Sequence, residues 1–393
     1  GYDGDLGGST PKPSPDPSVL DWQTVRDAYA AEHSTTPDKF ARKMAADLLL
    51  EENEYAAPRD TEELYEYHDP DGVYDPGGEP SVKETLRNHL GAHCSNSEIN
   101  EIVESVRQRS YIDREQFNGG EDDRLLCVAN GVLDLDSREL REHSPEYYFT
   151  RAVPVGYDPD AAAPAIDEFL NEITERDEDK QTMLEMVGSA LWPEYLKGKF
   201  MILFGEGGDG KSVFYHAVKQ LLGAENVSGW DLQDLGNNRF ATSALVGKFA
   251  NIGGDMDAVK VKNTGVLKKL TGGDQMMVEQ KNEPAHEFVN SATLLFGANR
   301  PPVIDEASRA VKRRLVPVRL PYEFTNEDDE LGESEYVKAA KDEDELKAEL
   351  TADDELAGFL NMALDGLDRL RENGDVSLPE SQEERLEYYE QFS

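Results

Sequence analysis

The chain is short of cysteine, of positive charge and of long apolar runs, and each shortage removes a class of protein. Its two cysteines, Cys94 and Cys127, have no CxxC partners. That leaves no disulfide framework or cysteine-based zinc site to predict and fits a reducing cytoplasm. No segment reaches the roughly 18 consecutive apolar residues that a transmembrane helix needs, and the opening GYDGDLGGST lacks the basic and apolar parts of a secretory signal, so no membrane association is expected. Basic residues number 40 against 81 acidic ones, for a formal net charge of −41 over 393 residues. A polyanion-binding protein would not be guessed from that total.

What is present changes the reading. The acids are spread between periodic apolar positions, as on solvated helix faces, and do not gather in one tail. In molar salt the Debye length falls to about 3 Å, so a dense carboxylate surface stays soluble; the composition reads as that of a salt-loving host. Against this trend, residues 248–319 hold twelve basic and eight acidic residues, a balance of +4 that leaves −45 for the rest. A positive island of this kind is what contact with a polyanion requires.

Along the chain, residues 1–17 are nearly all Gly, Pro, Ser and Asp and read as a flexible linker whose upstream partner is missing. Residues 18–180 read as a mostly helical domain with small β-hairpins, one around LYEYHDPDGVYDPGG and one around the Asn130-Gly131 turn. From 181 to 325 the texture becomes strands alternating with helices, which predicts an open α/β sheet. Residues 326–393 read as an acidic, exposed stretch followed by an amphipathic helix over 356–373.

The chemistry is carried by 204-FGEGGDGKSVF-214, which fits GxxxxGK[ST] between a short apolar strand and a helix. The loop residues Gly205, Glu206, Gly207, Gly208, Asp209, Gly210, Lys211, Ser212 and Val213 form a candidate nucleotide-binding loop. Its glycines let backbone N–H groups converge on phosphates, Lys211 reaches the β and γ oxygens of ATP, and Ser212 ligates Mg²⁺. Glu206 and Asp209 need not touch phosphate, since backbone and Lys211 make the cradle. An NTPase also needs a carboxylate near the metal at the tip of a neighbouring strand. Asp255, with Asp257 as its alternative or helper, closes the strand FANIGG at a suitable place, and Asn299 ends the next strand, where it could orient water or sense the γ-phosphate.

The ordered series FGEGGDGKS, NIGGDMD, LKKLTGGD, LLFGANRPPVID and KRRLVPV resembles the ATPase module of superfamily 3 helicases, in the branch of phage- and plasmid-type and poxvirus-like primase–helicases. Flanking segments extend the likeness over roughly residues 60–393. The resemblance implies an α/β P-loop NTPase with an AAA+-like core, a helical N-terminal collar and a helical C-terminal segment. It further implies a hexameric ring that hydrolyses ATP to translocate on single-stranded or forked DNA, 3′ to 5′, alongside a primase domain or protein. Lys211 and Ser212 match the phosphate and Mg²⁺ ligands, Asp255 the acidic strand end and metal site, and Asn299 the sensor. Lys281 matches the tip of the channel-lining hairpin as a DNA contact, supported by Lys268 and Lys269. Arg313 and Arg314 match paired arginines of which one acts as an arginine finger across the subunit interface.

Two departures stand out: Asp209 where Asn is commoner, and GGDMD where many relatives have Glu. No primase active site is visible in the sequence. Two other classes fit part of the pattern. A P-loop kinase would need no basic hairpin and leaves Lys281, Arg313 and Arg314 unexplained; an origin-binding scaffold would assemble with nucleotide but not unwind.

Overall fold

The computed structural model describes residues 20–30, 38–118, 124–192, 198–256, 264–278, 286–300, 309–326 and 334–377, with isolated positions 384, 387 and 391. Expectations for Asp257 and Lys281, and for the linker 1–17, lie outside the described residues. The chain divides into two compact units, residues 1–67 with 74–113 and residues 68–73 with 114–393.

In the first unit, helices Trp22–Ala30, Asp38–Glu52, Gly78–Leu90 and Asn96–Arg109 accompany a small sheet. There Tyr55–Pro58 pairs antiparallel with Tyr65–His68 and parallel with Tyr111–Ile112. The apolar faces read from the sequence meet in one core containing Val25, Leu49, Val82, Leu86, Ile102 and Val106, all without exposure. Asn96–Arg109 starts where it does because Ser95 and Glu98 form a reciprocal capping box that satisfies the first N–H groups.

The second unit is built on five parallel strands: β1 (Phe200–Phe204), β2 (Val227–Ser228), β3 (Ala250–Met256), β4 (Thr293–Ala298) and β5 (Leu315–Arg319). Their order across the sheet is β5-β1-β4-β3-β2. Every residue of β1 and β4 is buried, which is why KFMILF is a continuous apolar run and does not alternate. Alternate residues serve opposite faces. Met201, Leu203, Leu295, Val316 and Val318 join one core, and Phe200, Ile202, Phe204, Leu294 and Phe296 the other.

The first of those cores is closed by α1 (Pro164–Ile173), α2 (Asp177–Ala190), α3 (Lys211–Leu222), α4 (Glu343–Leu350) and α5 (Asp353–Asn373). It also takes in Leu126, Val128, Leu133 and Leu135 of the hairpin formed by Leu125–Val128 and Gly131–Asp134. The compact units therefore part at 113/114, not near 180. The hairpin and α1 were legible as elements, but the face they bury belongs to the sheet that follows them in the chain.

In the C-terminal segment the described acidic stretch is mostly exposed or half-buried, and the burial is in the helix that follows it. Helix α5 buries Leu356, Phe359, Leu360, Ala363, Leu364, Leu367 and Leu370. It crosses α2 at backbone distance: a Cβ on Gly188 would stand 2.6 Å from Leu367 N, and one on Gly366 would stand 2.5 Å from the Leu184 carbonyl oxygen. Beyond it, Ser377 donates from its backbone N–H at 2.7 Å and its hydroxyl at 2.6 Å to Glu185. Burial pushes the Glu185 carboxyl above the ordinary glutamate range, while the Ser377 bonds pull the other way.

Candidate functional site

The parallel register decides which side chains share an edge. Across the sheet Met256 pairs with Ala298, and Ala298 with Phe204. Gly205 donates its N–H to the Ala298 carbonyl at 3.3 Å. The glycine loop, the end of β3 at Asp255 and the residue after β4, Asn299, thus lie along the same strand-end edge. Ligands of open α/β sheets bind outside this edge, where the strand order reverses; β1 is such a point, with β4 on one side and β5 on the other. Asn299 and Ser212 are exposed there. Asp255 sits beside Gly297 at an irregularity in the ladder after Gly253.

The loop itself is held from three sides. Gly208 and Gly210 adopt φ of 59° and 87°, which side-chain-bearing residues seldom take. A Cβ on Gly210 would stand 2.8 Å from Ile173 Cγ2 of α1, so the loop lies directly on that helix. On another side, Phe324 donates its N–H to the Gly208 carbonyl at 2.8 Å. Helix α3 begins immediately after, with Gly210 at its N-cap and no side-chain cap bond. Its first N–H groups and dipole favour an anion at this position.

Lys211 and Asp209 are almost fully buried and form an ion pair within the loop. The ammonium also donates to the Gly205 carbonyl at 3.4 Å, and the Lys211 N–H to Asp209 Oδ1 at 3.2 Å. Asp209, unusual in the sequence motif, is the internal counter-ion of the loop lysine. Glu206 is exposed.

A cavity of about 300 Å³ opens beside the loop. Residues 207–213 form one end, and the remaining wall comes from Phe169 and Glu172 of α1, from Phe324, from Lys338–Lys341, and from Glu343 and Leu346. The wall residues from 338 onward were missed in the sequence because they lie in an acidic stretch that reads as solvated, and Phe324 stands just before that stretch. In the structure, Glu323–Thr325 and Val337–Ala339 form a short parallel pair. Lys338 donates to the Glu172 carbonyl oxygen at 2.6 Å and lies 3.2 Å from the Tyr322 ring centroid. Burial holds its pKa below the ordinary lysine range. Lys341 pairs with the Glu172 carboxylate at 3.3 Å.

The arginines and the lysine pair fall elsewhere. Arg313 and Arg314 precede β5, so they stand at the strand-start edge, about 16 Å from the strand ends by the rise of a five-residue strand. Lys199 donates to the Arg313 carbonyl at 3.1 Å, and Arg314 to the Ala310 carbonyl at 2.7 Å. Lys268 and Lys269 close the helix Thr264–Leu270. The turn after it approaches Arg314, whose Nη2 would lie 3.7 Å from a Cβ on Gly272. The hairpin expected around 276–288 exists as Met276–Val278 paired with His286–Phe288. Among the described residues, no group of three His, Cys, Asp or Glu side chains is placed to hold a metal, and no helix is long and apolar enough to cross a membrane.

Comparison with known proteins adds a coarse placement. A family described as D5 N terminal like matches residues 19–175, and a family of unknown function matches residues 203–314. A putative helicase of Acanthamoeba polyphaga mimivirus is 23% identical over 299 residues, covering 71% of this chain and 30% of that protein. A putative primase of African swine fever virus (isolate Warthog/Namibia/Wart80/1980) is 24% identical over 246 residues, covering 57% and 24%. A putative helicase of Invertebrate iridescent virus 6 is 24% identical over 321 residues, covering 73% and 32%. The chain thus spans under a third of each of these relatives. In fold it is similar to the apo C-terminal region of NrS-1, with TM-score 0.54 at 14% identity over 88% of this chain and 74% of that one. The chain is thus similar over part of its length to a D5 N-terminal-like family and to viral proteins named helicase or primase.

Proposed function

We propose that the chain is the ATP-hydrolysing motor segment of a viral or plasmid replicative primase–helicase, with a P-loop, AAA+-like core of the superfamily 3 type. The observation that carries this reading is the shared strand-end edge: the glycine loop, Lys211, Ser212, the Asp255 position and Asn299 lie along one line of the sheet. ATP phosphates are received by the loop N–H groups and the start of α3. Lys211 exchanges Asp209 for the β and γ oxygens. Ser212 and an acidic strand end, Asp255 or Asp257, would hold Mg²⁺, which supplies charge neutralisation on those oxygens. Asn299 orients the attacking water.

Arg313 and Arg314 stand too far from their own loop to serve it, which supports action on the loop of a neighbouring copy in a hexameric ring. Lys281, Lys268 and Lys269 contact the DNA backbone, and the −41 surface reflects a high-salt host cytoplasm. Strand displacement on forked DNA in molar KCl, with ATP and with a non-hydrolysable analogue, tests the reading. Unwinding with ATP alone supports a motor. ATP-dependent assembly without displacement would indicate a scaffold, and DNA-independent phosphoryl transfer to a metabolite a kinase. Lys211→Ala is expected to abolish turnover, while Lys281→Ala keeps nucleotide binding and loses DNA stimulation.

A further inference from the structure

We propose that the wall of the loop cavity formed by Phe324, Phe169 and Leu346 is a nucleobase subsite, which receives the base of the nucleotide whose phosphates occupy residues 207–213. The proposal rests on the nucleotide reading of the loop and goes beyond it by assigning the base end to the segment after the sheet.

Three observations carry it. First, one cavity of about 300 Å³ is lined by two chemistries: the glycine loop with Lys211, and the apolar residues Phe169, Phe324, Ala339, Ala340 and Leu346, of which Phe169 packs against the loop at Gly210. A phosphate needs the first and gains nothing from the second, whereas a base needs an apolar face to stack on.

Second, Phe324 is fixed relative to the loop by its own backbone. Its N–H bonds Gly208, while Glu323 N–H donates to the Tyr336 carbonyl at 2.8 Å and Ala340 N–H to the Thr325 carbonyl at 2.9 Å. The parallel pair is thereby locked on both sides of the ring, and a preorganised aromatic wall binds a flat ligand with little ordering cost.

Third, the two lysines of this wall are already engaged by Glu172, Lys338 through the carbonyl and Lys341 through the carboxylate. The Glu172 carboxylate is thereby neutralised at the cavity rim, and a second anion site is not what the wall offers. Base-on-aromatic contacts are worth about a ten-fold change in affinity or more.

The test compares ATP with inorganic tripolyphosphate, which carries the phosphates and no base, by calorimetry at fixed free Mg²⁺. Phe324→Ala is expected to weaken ATP about ten-fold or more while leaving tripolyphosphate within about two-fold, and Phe324→Trp to keep ATP close to wild type. ATP binding unchanged in Phe324→Ala overturns the subsite. Should that variant lose both ligands alike, Leu346→Ala decides: selective weakening of ATP upholds the subsite, and its absence overturns it. Failure of the loop reading looks different, because then wild type binds neither ligand and Lys211→Ala changes nothing.

Discussion

The two edges of the parallel sheet are built on different principles. At the strand-end edge two charged groups of the loop are buried and mutually satisfied, Lys211 by Asp209 and the Gly205 carbonyl, while Glu206 is exposed. At the strand-start edge Arg313 is exposed, and the lysine-bearing helix Thr264–Leu270 ends close to Arg314. On the proposed reading, the buried ion pair is what an incoming nucleotide displaces, and the basic side chains at the other edge act on a neighbouring copy. One sheet presents both, about a strand length apart. Two copies arranged head to tail would join what a single copy holds separate.

Several variants would break or sharpen this contrast. The largest effect is expected at the arginines. Arg313→Ala with Arg314→Ala should cut hydrolysis on the order of 10³-fold while nucleotide binding persists. Mixing this variant with Lys211→Ala should restore turnover, since a mixed interface pairs one intact loop with one intact arginine edge. Turnover that stays absent in the mixture would place both edges in service of the same copy. A smaller change is expected at the opposite edge. Asp209→Asn removes the anion that competes for Lys211 and should tighten ATP on the order of five-fold, read by calorimetry. Weaker binding would mean that the carboxylate positions the loop and does not occlude it. The smallest functional effect belongs to Gly366→Ala, which touches neither edge. Its Cβ would collide with the Leu184 carbonyl, for a loss of about 1–3 kcal/mol and roughly 3–10 °C in Tm, with ATP affinity unaltered.

Much of the site was legible because its residues obey strong local rules. KFMILF is apolar on both faces since the strand is covered on both, and the glycines of the loop sit where the backbone must turn left-handed. The alternation of strands and helices from residue 199 onward also followed from pattern, whereas the order of the strands across the sheet did not. What did not follow depends on distant packing. Leu126 and Leu133 could be assigned to a hairpin, yet nothing in their spacing says that they bury against the sheet and not against the first four helices. Phe324 sits in a three-residue strand too short to show periodicity, and Leu346 is an isolated apolar residue in an acidic helix. Arg313 and Arg314 were visible as a basic pair; only the parallel direction of β5 says which edge they occupy. Gly188 and Gly366 are isolated glycines in helices, and their role appears only where two backbones cross.

That crossing bears on where the second unit can be cut. A fragment ending at Thr325, the end of the α/β texture in the sequence, would lack the part of the cavity wall from Lys338 to Leu346 and the whole of α5. Leu184 and Val187 of α2, buried now, would lose their cover, and the loop would lose one of the flanks of its pocket. For expression or for domain transplantation, a piece holding the parallel sheet should therefore run at least through Ser377, and the acidic segment travels with it as an integral part.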